Sequence, residues 1–461
     1  MNKAFSAATA AAALLLAGCA SFSPDGGFTR VAELTRERTG HDPQWQRGAS
    51  EADTVRTRVN EILAKPLSAD GAVEVALLNN RGLQARFAEL GMAESDVVRA
   101  GRLPNPRLGF VHLSGGGVTE IDRSVMFNLL GLLTMPLAQQ VEQQRFEQTQ
   151  LRAALDAVGI AAAARQAYFN AVTARQLVTY YEQVHEAADV ASELARRMEE
   201  IGNFSRLARM REQAFQVEAT AQLARARQQA LSQRERLVRT LGLSGDQLAF
   251  TLPERLPDLP KEPLRSEDAE QTAIERRLDV LMARRATEAT ASALGLTQAT
   301  RMVNVLEVGY ANKSQTGEPR ENGYQIELEL PLFDFGAART ARAEALYMQS
   351  LHRTAEVAVN AQSEVREAYG AYRSAYELAR HYRDEVVPLR QRISDENLLR
   401  YNGMLIDVFE LLADSREQVR SVTDYIEALR DHWVADSRLR TALTGGSPGD
   451  VPASTTPEAA H

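Results

Sequence analysis

The chain has 461 residues, a formal net charge of −8 and a mean hydropathy of −0.31. A single cysteine rules out disulfides within the chain, and an acidic balance without any basic block excludes an ordinary nucleic-acid binder. Only 6% is aromatic while Ala, Leu, Arg, Glu and Gln crowd the middle, the composition of long helices rather than of compact mixed domains.

At the N-terminus, Met1-Asn2-Lys3 gives a positive start, and Ala7 to Leu16 form an apolar run too short to span a bilayer as a helix. Leu16-Ala17-Gly18-Cys19 follows and holds the one cysteine. The stretch resembles a bacterial lipoprotein lipobox, which implies that residues 1–18 are a signal peptide and that Cys19 carries covalent lipid. Acyl chains contribute about 0.8 kcal/mol per buried methylene, enough for stable anchoring once two or more are attached. By the same resemblance, an Asp after the cysteine would favour the inner membrane, so Ala20 points to the outer one. Beyond residue 18 the best apolar candidate, Ala154 to Val172, is interrupted by Asp156 and Arg165. Any membrane crossing must therefore use β-strands in a closed barrel, which alone satisfies the backbone without helices.

Residues 19–67 read as an N-terminal anchor and connecting segment, after which the chain is written twice, over 68–242 and 266–445. Anchors recur in order. Met135-Pro136-Leu137 answers to Leu330-Pro331-Leu332, Arg165-Gln-Ala-Tyr168 to Arg366-Glu-Ala-Tyr369, and Gly202 to Gly403. Units this long indicate duplication of a whole substructure rather than a short-period array.

In the first copy, Gly71 to Ala100 reads as helix, ended by the prolines of Arg102-Leu-Pro-Asn-Pro106. Strands are expected at about 107–113 and 125–135, around a loop containing Ser114-Gly-Gly-Gly117. Gln139 to about Ile201 lacks proline and would extend roughly 90 Å as one helix, with apolar positions at the threes and fours of a coiled-coil seam. A turn at Gly202 leads into a return helix. The proline-rich stretch 243–265 reads as a semi-rigid linker.

In the second copy, strands are expected at about 302–311 and 324–331. Tyr324, Ile326, Leu328 and Leu330 alternate with Gln325, Glu327 and Glu329, a dyad pattern that suits either a lipid-facing barrel strand or a half-buried soluble hairpin. Ala337 to about Arg400 forms the second long helix, with a kink expected at Pro388, and Gly403 ends it. Both tip glycines suit a left-handed cap. The tail 446–461 has a disordered composition. Four strands cannot close a barrel, since the smallest membrane barrels need about eight. Three copies would supply twelve and leave no free edge.

The chemistry of an enzyme is missing from the sequence: the seven histidines are scattered, and neither a zinc-type motif nor a phosphate loop occurs. No metal site and no cofactor beyond the lipid on Cys19 is expected.

Ala76-Leu-Leu-Asn-Asn-Arg-Gly-Leu83, Arg102-Leu-Pro-Asn-Pro106, Pro331-Leu-Phe-Asp334 and Tyr401-Asn-Gly403 leading into Asp407-Val-Phe-Glu-Leu-Leu-Ala-Asp414 resemble the TolC-like outer-membrane efflux proteins. The likeness covers nearly the whole mature chain. It implies a mainly α fold with a membrane β-barrel: a homotrimer with a twelve-stranded barrel, a coiled-coil α-helical tunnel and a belt drawn from residues 20–67 and 243–265. It further implies a passive exit duct in the outer membrane, working with a periplasmic adaptor protein and an inner-membrane pump on metal ions or small toxic compounds. Under that resemblance Asp407 and Glu410, three apart on the second return helix, line the pore constriction, while Gly202, Tyr401 and Gly403 mark the tips that meet the adaptor. Ala413 departs from the family pattern, which has a second Asp there. The competing readings are a lipid-anchored periplasmic coiled-coil scaffold without a pore and, for the carboxylates, a solvated helix face.

Overall fold

The computed structural model describes residues 21–265, 268–403, 405–406 and 408–447, so Cys19, Asp407 and the tail from 448 onward lie outside the described residues. The elements run α1 (Phe28–Thr39), α2 (Ala49–Leu63), α3 (Ala69–Asn79), α4 (Arg81–Ala100), β1 (Arg107–Gly115), β2 (Val118–Asn128), α5 (Leu129–Glu200) and α6 (Arg206–Leu241). After the linker come α7 (Ala269–Arg276), α8 (Leu278–Ala299), β3 (Val305–Gln315), β4 (Glu321–Glu329), α9 (Ala337–His381), α10 (Val387–Asn402) and α11 (Val408–Thr444). The duplication is therefore structural: each copy holds a helix pair, a hairpin, a long helix and a return helix. The chain divides into two compact units, one comprising the segment up to Val31 with Arg86–Ala153 and Asp279–Val359, the other Ala32–Ala85, Ala154–Leu278 and the segment from Asn360.

The first unit holds one antiparallel sheet in the order β1-β2-β3-β4, open at both edges. Its strands differ from the sequence-based bounds. β2 starts at Val118, because Gly116 and Gly117, at φ 61° and 83°, make a two-residue hairpin turn whose positive dihedrals match strand twist. It stops at Asn128, whose side chain accepts a hydrogen bond from Gly131 N at 2.7 Å and caps a helix. The apolar run Leu129–Met135, expected as strand, is thus the first two turns of α5, and Pro136 lies inside that 72-residue helix. β3 and β4 likewise reach three or four residues farther toward their turn than expected and stop short at the opposite end. Helix α4 is anchored by Phe28 packed edge-on to Phe87 at 4.9 Å, and by Glu94, which accepts from Ser23 N at 2.6 Å.

The second unit holds the main core, in which Val59, Ala76, Tyr168, Val172, Leu237, Leu241 and Tyr376 are buried together. The two copies lock their return helices at matching places. In the first, the helix breaks at Asn80 (ψ 117°), and the Asn79 and Asn80 amides donate to the carbonyls of Gly242 at 2.7 Å and Thr240 at 2.9 Å at the end of α6. In the second, the break falls at Arg277 (ψ 130°), whose guanidinium is 1% exposed, pairs with Glu364 at 2.7 Å and donates to Ala442 O at the end of α11. Ion pairs Asp70–Arg165 and Glu270–Arg366, both at 2.8 Å, repeat as well.

Three aromatic side chains fasten the proline-rich linker. Tyr376 Oη donates to the Pro260 and Lys261 carbonyls at 3.1 and 2.9 Å, and Trp433 Nε1 donates to Pro257 O at 3.1 Å. Tyr372 Oη accepts from Leu264 N at 2.8 Å. His432 sits among these rings. The second long helix is interrupted next to Pro388: a π-helical turn, Tyr382–Val386, separates α9 from α10 one turn before it, with Val387 N bonded to Tyr382 O. Proline has no N–H for the carbonyl four residues before it, and the chain widens there.

Candidate functional site

Strand register fixes which side chains share a face, because residues directly opposite in an antiparallel pair project to the same side. Leu108 faces Val125, Val125 faces Tyr310, and Tyr310 faces Tyr324; Phe127, Val308 and Ile326 form a second row, with Leu306 beside Leu328. This face is apolar and uncovered, with Phe110 68%, Ile326 70% and Tyr324 92% exposed. Toward the turns it becomes polar, where Arg123, Asn312, Asn322 and the Tyr310 hydroxyl bond one another at 2.7 to 3.1 Å. At the other end, the loop after β4 presents Leu332, Phe333 and Phe335 to the outside. Phe335 takes a left-handed φ of 49°, a conformation unfavourable for a bulky residue.

The opposite face is mostly charged, with Val111 and Leu113 of β1 as its exposed apolar exceptions. It carries Glu120, Asp122, Glu307, Lys313, Glu321, Glu327 and Glu329, with Lys313 paired to Glu120 at 2.6 Å and Arg107 to Glu307. One four-stranded sheet thus separates a hydrocarbon-like surface from an ionic one. Its strands of 9 to 11 residues match the length needed to cross a bilayer at a tilt.

In the second unit, both long helices turn back at the expected glycines, but with different geometry. Gly202 has φ 80°, with Asn203 N bonded to Met198 O and Gly202 N to Glu199 O, the two bonds of a Schellman cap. Gly403 is not left-handed: its φ is −81°, and Gly403 N and Leu405 N bond to Leu399 O and Arg400 O. Tyr401 is exposed in the last turn of α10. Glu410 lies exposed in the first turn of α11, where the helix dipole favours a carboxylate. Its proposed companion, Asp407, lies outside the described residues.

A polar group that sequence reasoning missed lies between α6 and α11. Glu212 has a side chain 3% exposed and meets Arg416 at 3.4 Å, while the Arg416 guanidinium lies over Phe215 at 4.6 Å. Burial pushes the Glu212 carboxyl upward, against the pull of Arg416. Asp414 is buried nearby in sequence, with one oxygen lacking a partner among the described residues. A signal was available, because Glu212 interrupts the apolar stripe of Ala208, Ala219 and Leu223, a position a glutamate takes only with a counter-charge. Among the described residues no cluster of three or more His, Cys, Asp or Glu side chains could hold a metal ion, and no helix is long and apolar enough to cross a membrane.

No protein-family model matches the chain, and no curated protein matches its sequence. Solved structures do match in fold. The CmeC outer-membrane channel of Campylobacter jejuni superposes with a TM-score of 0.70 at 12% identity, over 82% of this chain and 86% of that one. The MtrE outer-membrane channel of Neisseria gonorrhoeae, in its open state, gives 0.68 at 15% identity over 83% and 90% of the two chains. The outer-membrane protein VceC of Vibrio cholerae gives 0.66 at 16% over 82% and 96%. The fold is that of the TolC-like outer-membrane efflux channels.

Proposed function

We infer that this chain is the outer-membrane exit duct of a tripartite efflux system, in which three copies close one barrel and pass on what an inner-membrane pump and a periplasmic adaptor deliver. The observation that carries this reading is the open sheet with one uncovered apolar face and one ionic face. In water such a sheet would expose a large apolar patch and two unpaired edges. In a bilayer, closed by two further copies, the apolar face meets lipid, the carboxylates line an aqueous lumen, and both edges pair. Phe333 and Phe335 would sit at the headgroup level, where aromatic rings are favoured.

The helices support assembly too. Between Ala337 and Val357, α9 packs on α8 through the hydroxyl pairs Thr287–Thr354 at 2.8 Å and Thr290–Ser350 at 2.7 Å, yet Met348 and Leu351 stay exposed. The corresponding part of its duplicate α5 buries Val141, Phe146 and Ala153 and also reaches α8 through Glu147–Arg285 at 3.5 Å. The unmet face of α9 calls for the equivalent contact from α4 of a second copy, where Met92 is 64% exposed.

The scaffold alternative leaves the apolar sheet face without a purpose. Detergent-extracted, trypsin-resistant trimers that conduct in a planar bilayer are the expected result; trimers of full helical content without conductance would favour the scaffold. Lipidation of Cys19 belongs to the same proposal. Cys19→Ser should abolish incorporation of labelled fatty acid, and label still entering that variant would refute it. The cargo class, metal ion or small toxic compound, is left to the pump, since a wide lumen makes few specific contacts.

A further inference from the structure

Within the first unit, α5, α8 and α9 enclose a groove of about 700 Å³. Its charged lining residues are Arg145, Arg339, Arg342 and Arg353, without a single carboxylate, although the chain has 61 acidic residues against 53 basic ones. Two of the four are engaged: Arg145 with Glu142 at 2.7 Å, and Arg339 with the Thr300 carbonyl at 2.6 Å. Arg342 and Arg353 have neither a hydrogen-bond nor an ion-pair partner among the described residues. They stand three turns apart on α9, about 16 Å along its axis. Between them the groove is apolar, with Leu346 on one wall and Ala286, Ala289, Ala293 and Leu294 on the other. The hydroxyls along the seam do not compete for a ligand, since Thr290 and Ser350 bond each other and Thr354 bonds Thr287.

We propose that this groove binds a long-chain organic anion, its carboxylate or phosphate head on Arg342 or Arg353 and its alkyl chain along the alanine wall. A guanidinium receives either head through two parallel hydrogen bonds, and the trough removes the tail from water. A cationic amphiphile meets the unpaired charges of Arg342 and Arg353 there, and a small hydrophilic anion gains nothing from the apolar wall. Binding at this groove does not require that the assembled chains conduct.

The test uses the full-length protein in nanodiscs of zwitterionic lipid, with 11-(dansylamino)undecanoic acid as fluorescent probe and empty nanodiscs as the blank. Saturable binding is expected, displaced by laurate and not by acetate or dodecyltrimethylammonium. Arg342→Gln with Arg353→Gln should weaken it at least about tenfold, as loss of charge-assisted bonds predicts. Ala293→Trp, which fills the wall, should weaken it independently of charge, with helical circular dichroism showing that both variants fold. Equal displacement by the cationic amphiphile, or unchanged affinity in the arginine variant, overturns the assignment. So does signal no greater than in empty nanodiscs, the result expected if a neighbouring copy covers the groove.

Discussion

Replacing His432 by Phe tests how the proline-rich linker is held. His432 is 1% exposed, and neither ring nitrogen has a hydrogen-bond partner among the described residues. Its ring lies 5.3 Å from Tyr372, 5.6 Å from Tyr376 and 5.1 Å from Trp433, the three side chains that fasten residues 257–264. Burial pushes its pKa down, while the Asp436 carboxylate pulls it up and is itself bound by Arg440 at 2.8 Å. The packed form therefore holds a neutral imidazole. Once the linker opens, the ring titrates at its ordinary value near 6.5, so acid favours the opened form. The contribution to stability is complete above that pH and is lost progressively below it, by up to about 1.4 kcal/mol per unit until the packed form itself takes up the proton. Hydrogen exchange of the linker amides, corrected for intrinsic rate, should accelerate between pH 7.5 and 5, by up to about tenfold for each unit below 6.5. In His432→Phe the acceleration should vanish, and protection at pH 7.5 should be equal or higher, since an apolar ring leaves no buried polar atom unpaired. Equal acid sensitivity in both proteins would refute this reasoning and transfer the response to carboxylates such as Asp436.

Arg277→Met should loosen the end of α11 by about 2 to 4 kcal/mol, somewhat less than the roughly 3 to 5 of a fully buried pair because Glu364 is partly exposed; limited proteolysis near Thr444 measures it. Ile326→Arg, in the apolar row of the sheet, should reduce membrane-inserted protein by about 2 to 4 kcal/mol of insertion stability, whereas Glu327→Gln on the ionic face should leave yield unchanged; comparable losses from both would remove the lipid-facing assignment. Asp407→Asn with Glu410→Gln should lower cation selectivity, read as reversal potential in a salt gradient, without changing trimer yield; unchanged selectivity would return both to a solvated helix surface.

The doubled layout, both hairpins and the two tip turns were legible because they depend on local signals: proline and glycine breaks, and alternation over five or more residues. The outer halves of the strands were not, since near Val118–Ser124 polar side chains occupy both faces and the alternation fades. Leu129–Met135 misled for the opposite reason. It is apolar throughout, and only the Asn128 cap, a single side-chain bond, decides for helix. Gly403 shows that a glycine at a helix end need not be left-handed. The Glu212–Arg416 contact and the Arg277 clamp join residues 204 and 87 or more positions apart, and no local pattern reveals such partners.

The hairpin turns restrict where a duct built from this sheet could shut. One consists of Gly116 and Gly117 alone, the other of the five residues 316–320. At about 3.3 Å per residue, and with the chain obliged to return to the next strand, neither projects more than roughly 8 Å beyond its strands. Barrels sealed from outside fold long loops inward as plugs, and neither of these two turns is long enough to do so. In a duct built from this sheet, the mouth at the hairpin turns would stand permanently ajar, and closure would have to come from some other part of the assembly.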